Sequence, residues 1–248
     1  MDLKIKEAMK QLNMRYAIEA YDALNHDQKL LASITLDQAL VSILSTEING
    51  RDRARQAMLL KVAKIPLPST LNDISYDEER GTEFSKFMSM VIPMQWMERG
   101  ENICIYGAAG TGKSWIASAI ARETAIRGKS VMFWNAADLT ATLVERKHDG
   151  NGTYQRFRKM LKSRKLLIID DFCLKAPNDE EQAVLFDLLN DRTGRFSTLV
   201  TSQKDRNMWI ENMGATPLAE SIAERLNANA WELFLAGNSR RHTLNTLK

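Results

Sequence analysis

Eight consecutive residues, Gly107-Ala108-Ala109-Gly110-Thr111-Gly112-Lys113-Ser114, constrain this chain more than any other stretch. They fit G-x-x-x-x-G-K-[ST] in full. An apolar run, Ile103–Tyr106, precedes them, and Trp115–Arg127 reads as the helix that follows. Strand, glycine loop and helix in that order form a cradle for a polyphosphate. The glycines let backbone N–H groups curl towards phosphate oxygens, and the helix aims its positive end at the same anion. Lys113 places a point charge near the β- and γ-phosphates, and the Ser114 hydroxyl is a candidate magnesium ligand.

The second signal is Leu166-Leu167-Ile168-Ile169-Asp170-Asp171. A buried parallel strand reads as an unbroken apolar run, and its C-terminal end is where α/β sheets bind ligands. Asp170 is placed to hold magnesium through water, and Asp171 to orient or deprotonate an attacking water. Three further apolar runs, Val131–Trp134, Leu199–Thr201 and Trp231–Leu235, alternate with helical or loop-like segments. That alternation predicts a five-stranded parallel sheet flanked by helices, an α/β fold.

The first ~70 residues carry helical periodicity instead. Leu3, Ala8, Met9, Leu12 and Tyr16 recur at helix spacing, and Thr35 with Gln38 forms a capping box for a second helix. Leu40, Leu44 and Ile48 give that helix an apolar stripe. Asn49-Gly50 is expected to close it, and a third helix to run from Arg51 to Lys64. Ile65-Pro66-Leu67-Pro68 then blocks further helix. The expected domains are residues 1–68, all-helical, and 69–248. A further helix is expected around Glu83–Arg99.

Composition narrows the function classes. With 44% hydrophobic and 26% charged residues among 248, the chain is globular. No apolar run approaches the ~18 residues of a membrane span, and the start at Met1-Asp2-Leu3-Lys4 lacks an apolar h-region, so no signal peptide is expected. Two cysteines, Cys104 and Cys173, make no disulfide framework, which points to a reducing, cytoplasmic setting. His26, His148 and His242 are scattered, so no structural zinc site is expected. The net charge is only +3, so any nucleic-acid role must reside in local patches. From Glu145 to Lys165 there are eight basic and two acidic residues, a local balance of +6. Arg146, Lys147, Arg156, Arg158, Lys159 and Lys162 are the candidate DNA contacts there, with Arg51 and Arg55 in a second basic cluster.

Taken together, the loop, the Asp170-Asp171 strand, Ser197–Gln203, Glu224–Leu226 and Ala230–Arg241 resemble the AAA+ ATPases, and more narrowly the IstB/DnaC group. The N-terminal helices and the run from Arg51 to Tyr76 are similar to the IstB branch in particular. The resemblance implies ATP and Mg2+ as ligands, hydrolysis to ADP and phosphate, and sites shared between subunits of a homo-oligomer. It implies Gln203 as first sensor, Arg225 as an arginine finger reaching a neighbour's ATP, and Arg241, with Arg240 competing, as second sensor. It places Ile74 and Tyr76 in the adenine pocket and makes Arg192 a candidate intersubunit contact. It implies that the Glu145–Lys165 segment faces a channel holding duplex DNA, and that a cognate transposase is the partner in transposition of a mobile element, nucleoid-associated in a bacterium. The alternative is a DnaC-like helicase loader on single-stranded DNA. A third reading is a P-loop module that binds nucleotide without hydrolysis. Only 11 residues follow Gly237, about one helix, so a truncated or missing C-terminal lid is expected. Two departures stand out: aspartate at 171, where many AAA+ proteins have glutamate, and Cys173, where the branch often has glycine.

Overall fold

In a computed structural model of the chain, residues 3–76 and 81–240 are described. Contacts divide the chain into two compact units, Met1–Met58 and Leu59–Lys248.

The first unit holds α1 (Leu3–Gln11), α2 (Arg15–His26), α3 (Gln28–Ser33) and most of α4 (Leu36–Ala63). The Thr35–Gln38 box forms at the start of α4: the Thr35 N–H donates to Gln38 Oε1 (2.8 Å) and the Gln38 N–H to Thr35 Oγ1 (3.2 Å). Asn49-Gly50 does not end this helix, contrary to the sequence expectation; α4 is one helix through Ala63. Gly50 instead makes room for a ring. A Cβ built there would lie 2.2 Å from Tyr16 Cγ, so α2 and α4 touch at this point with no space for a methyl group. Beside it, the buried Glu47 accepts from the Ala17 N–H (2.8 Å) and from Arg51 Nε (2.6 Å). Leu40, Leu44 and Ile48 lie on the exposed side of α4; the packed face is the one carrying Ile43, Glu47 and Gly50.

Gly50→Ala tests this packing. Overpacking of this kind costs about 1–3 kcal/mol, so amide exchange across residues 15–26 is expected to accelerate about 5- to 150-fold. Unchanged protection would refute the contact.

The second unit opens with the last residues of α4 and the 65–68 proline stretch, where a domain boundary was expected. Ala63 is fully buried, with Leu59, Leu60 and Ile65 packed against the same core. A short 3-10 turn (Leu71–Asp73) follows, then α5 (Gly81–Val91) and α6 (Gln95–Glu98). The expected continuous helix over 83–99 is broken at Ile92-Pro93, since proline has no N–H to donate and crowds the preceding turn. Met94 takes a left-handed conformation at the break.

The sheet comprises β1 (Asn102–Gly107), β2 (Val131–Asn135), β3 (Leu166–Asp170), β4 (Ser197–Ser202) and β5 (Ala230–Leu235), in spatial order β2-β3-β4-β1-β5 and parallel throughout. All five expected apolar runs are strands. Side-chain alternation divides each strand between two cores. Ile103, Ile105, Leu166 and Ile168 pack with α5 and α7 (Lys113–Ile126) on one face. Cys104, Tyr106, Leu167 and Ile169 pack on the other, against α8 (Ala136–His148), α9 (Thr153–Lys162), α10 (Asp179–Arg192), α11 (Arg206–Asn212) and α12 (Pro217–Asn227). Each fully buried Ile or Leu contributes about 1.5–3 kcal/mol.

Arg192, expected at a subunit interface, is buried inside this unit at 1% exposure. Its guanidinium donates to Leu161 O (2.8 Å) and Arg164 O (3.0 Å) at the end of α9, to Thr198 Oγ1 (3.2 Å), and to Ser197 O at the start of β4. Burial pulls its pKa down to about 9, so it remains a cation at neutral pH. No helix of the described residues is long and apolar enough to cross a membrane.

Candidate nucleotide site

The loop Gly107–Gly112 hangs from the end of β1, between two neighbouring strands. Its glycines are there for space and for backbone angle. Gly107 has φ +152°, and a Cβ on it would lie 2.5 Å from Leu235 O; Gly110 has φ +85°, and its Cβ would meet Ser239 Oγ at 2.1 Å. The outer wall of the loop is therefore chain from beyond β5, pinned where the Arg240 N–H donates to Gly110 O (2.9 Å). Gly112, with φ +98°, precedes the first residue of α7. Ala108 and Ala109 are exposed at the apex, and Thr111 is tucked under it, donating to Ala108 O (3.0 Å). The Lys113 ammonium is 5% exposed and donates to Gly107 O and Ala108 O, both at 2.8 Å.

The helix α7 and the strand β3 meet where Ser114 Oγ donates to Asp170 Oδ1 (2.9 Å). The same oxygen accepts from Thr201 Oγ1. Thr201 Oγ1 in turn accepts from the Asp171 N–H (3.1 Å). Burial pushes the Asp170 carboxyl above its ordinary range; the Thr201 and Ser114 hydroxyls and the Lys113 charge work against that, and Asp171 adds to it. A hydroxyl and a carboxylate oxygen held this close are the hard donors that magnesium takes. Two protein ligands suit an ion that keeps most of its waters and shares phosphate oxygens. With the glycine cradle beside them, these residues fit a magnesium-bound triphosphate.

Thr201 was not among the sequence candidates. It lies two residues before Gln203, within β4, and pairs with Ile105; a buried threonine at a strand end next to an acidic strand end was the available signal. Gln203 itself is exposed, just past the end of β4, and its side chain makes no hydrogen bond among the described residues. Ile74 and Tyr76 are not brought to the loop. They line a cavity with Leu71, Asn72, Glu123 and Arg127 at the far end of α7, about 15 Å along the helix from Lys113. Ile74 is core, whereas Tyr76 is half-exposed beside Phe84. It is Ser69 that reaches the first turn of α7, donating to Trp115 O (2.8 Å). Arg241 lies outside the described residues.

After β3 the chain turns sharply, with Asp171 at φ +57° and Cys173 at φ +54°. This gives the cysteine departure a physical meaning: glycine adopts that conformation without strain, and cysteine does not. Cys173 is also 2% exposed, and burial pushes its thiol up to about 12. At an ordinary buried position, removing more side chain costs more stability. Here Cys173→Gly is expected to melt at or above Cys173→Ala, and Cys173→Val well below both. The ordinary order, with glycine lowest, would refute the strain.

Arg225 lies on α12, stacked over the Phe186 ring (4.3 Å) and bonded to Asn190 Oδ1. Of the candidate DNA contacts in the Glu145–Lys165 segment, Lys147, Arg156 and Lys159 are exposed. Arg158 is engaged by Asp191 (2.8 Å) and Asp187 (3.4 Å). Lys162 lies 3.9 Å from Asp191, and Arg146 covers the buried Phe157 ring at 4.3 Å. The local charge is thus partly neutralised by carboxylates of α10, which the sequence of the segment did not contain. Arg51 is held by Glu47 and by Asn13 O, whereas Arg55 is exposed and makes no ion pair among the described residues.

Comparison with known proteins covers nearly the whole chain. The sequence model of the family described as IstB-like ATP binding protein matches residues 7–247. A protein of Sinorhizobium fredii named as an insertion sequence ATP-binding protein is 34% identical over 199 residues, 80% of each chain. An IS21 ATP-binding protein of Pseudomonas aeruginosa is 29% identical over 215 residues, 87% of this chain and 80% of that one. Among solved structures, DnaI superposes with a TM-score of 0.59 at 20% identity, covering 75% of this chain and all of that one. The DnaC helicase loader gives 0.57 at 17% identity, covering 68% and 96%. At these identities the two structures speak to the fold alone, which is that of the AAA+ proteins.

Proposed function

This chain belongs to the IstB-like ATP-binding protein family, and from that membership we propose that it is a magnesium-dependent ATPase that assembles on duplex DNA and serves a transposase. The observation that carries the reading is the junction of Ser114 and Asp170 beside the Gly107–Ser114 loop, where phosphate donors and hard oxygen ligands converge. Magnesium held by Ser114 and Asp170 would supply neutralisation of the charge that develops on the phosphate oxygens as ADP leaves.

The rest of the chemistry falls to the chain's own groups. Lys113 exchanges its two loop carbonyls for phosphate oxygens. Thr201 keeps Asp170 and the Asp171 backbone in register. Asp171 orients the attacking water, on an arm one methylene shorter than glutamate. Arg225 of one subunit stabilises charge at the ATP of the next, as a guanidinium supplied in trans can do. Gln203 and Arg241 are secondary positions in this reading, supported by the family pattern; Trp115 lies in the first turn of α7 beside the loop, and Ile74 and Tyr76, at the far end of that helix, are assigned no contact with the nucleotide. Duplex contact is assigned to Lys147, Arg156 and Lys159 first, because they are exposed, and then to Arg146 and Lys162. Arg158 contributes least, being engaged by α10. Arg55 offers a further contact from the helical unit, and Arg51 braces that unit.

A gel shift on duplex DNA with and without ATP, over a range of salt, tests the proposal. The expected result is an ATP-dependent complex whose affinity falls steeply with salt. Replacing Lys147 and Lys159 by alanine should weaken it on all sequences and reduce the salt slope by about two. Preference for single strands would favour a loader on the same fold. If ATP promoted neither oligomers nor DNA binding, the proposal would fail.

A further inference from the structure

Arg225 is not a loose surface side chain. Its Nε and Nη2 both donate to Asn190 Oδ1, at 3.2 and 3.1 Å, and its Nη1 donates to Ser221 O at 2.9 Å. Its guanidinium lies over Phe186, with Cζ 4.3 Å from the ring centroid. Phe186 and Asn190 are four residues apart on α10, so they present a ring and an acceptor on the same face. Arginine has five N–H donors in a rigid fork. Three are engaged here, on the side edge and the inner nitrogen. That leaves one N–H on each terminal nitrogen, and arginine N–H groups of this kind grip phosphate oxygens in pairs.

We propose that Asn190 and Phe186 are positioning residues for Arg225: they hold the guanidinium with its two remaining N–H donors available for a phosphate outside its own subunit. This rests on the reading of Arg225 as acting in trans. The physical gain is pre-organisation. A free arginine side chain loses rotamer freedom when it is fixed; one already stacked and bonded has lost most of it before the encounter. The ring and the amide do different work. Phe186 fixes the plane through cation–π attraction, and Asn190 fixes the rotation within that plane. An aspartate at 190 would keep the acceptor, whereas a leucine would keep the bulk and lose it.

The experiment measures phosphate release by the full chain with DNA, as kcat and KM for ATP. Asn190→Leu is expected to lower kcat about tenfold with KM within about twofold, the pattern of an interaction made in the transition state. Asn190→Asp should retain most of the activity. Subunits carrying Asn190→Leu have intact nucleotide sites, and subunits carrying Lys113→Ala have intact fingers. Mixing the two should restore turnover above the sum of the parts, which a general loss of folding would not do. Parental kcat in Asn190→Leu, with Arg225→Ala inactive, overturns the positioning role. An Arg225→Ala variant as active as the parent overturns the trans reading itself. A defect in Asn190→Leu that neither aspartate nor mixing repairs also counts against the positioning role.

Discussion

Replacing Lys113 by alanine is expected to weaken nucleotide binding about a hundredfold or more and to reduce turnover to background. The ammonium is buried, and its two bonds at 2.8 Å run to Gly107 O and Ala108 O of the loop itself. Those bonds brace the loop in its curled form. With a triphosphate in the cradle, the same nitrogen meets charged oxygens, and each charge-assisted bond of that kind contributes about 1.5–3 kcal/mol. Two of them account for roughly 3 kcal/mol or more, and a factor of ten corresponds to about 1.4 kcal/mol. Titration with a fluorescent ATP analogue, alongside phosphate release at saturating protein and DNA, checks both halves. Affinity within threefold of the parent would show that the loop amides alone carry the anion. Turnover surviving the substitution would point to a contaminating ATPase.

Arg192→Ala is expected to cost about 3–5 kcal/mol of unfolding free energy, the range for removing one member of a buried charged network. Four groups lose their donor at once: Leu161 O, Arg164 O, Ser197 O and Thr198 Oγ1. They lie where water does not readily replace the guanidinium, because the residue is 1% exposed. A cavity the size of an arginine side chain adds to the loss. Arg192→Lys should recover only part of it, since a single ammonium cannot span the end of α9 and the start of β4 together. Urea unfolding of each variant measures the difference. The shift should be independent of protein concentration, as befits a strut within one subunit. A loss below about 1 kcal/mol, or one that vanishes on dilution, would return Arg192 to a subunit interface.

The contrast between these two residues shows what a sequence of this kind reveals. Lys113 was legible because its role is local: the strand, the loop and the first turn of the helix are contiguous, and periodicity and glycine spacing describe them completely. The strands were legible for the same reason, each being an apolar run bounded by turns. Arg192 was misread because its partners come from α9 and β4, and nothing in its neighbourhood announces them. Arg158 differs for the same reason, its charge being answered by Asp187 and Asp191 of another helix. Gly50 carried the right signal with two meanings: glycine permits a left-handed helix end and it permits close approach, and only the Tyr16 ring decides between them. Thr201 was overlooked beside the more conspicuous Gln203, although Thr201 lies within the strand and Gln203 just past its end. Cys173 had no physical account until its positive φ supplied one.

The order of the sheet also has a consequence for how the chain is made. Val131 pairs with Leu166 across a connection that is mostly helix, α8 and α9. Ile103, on β1 between β4 and β5, pairs with Leu199 on one side and Trp231 on the other. Contacts that distant form slowly, because a long loop must close before they are rewarded. During synthesis from the N-terminus, β1 therefore waits with its apolar residues unpaired while the chain up to β4 and β5 emerges. The phosphate loop, hung from that strand and walled by residues beyond β5, is the last part of the molecule to take shape.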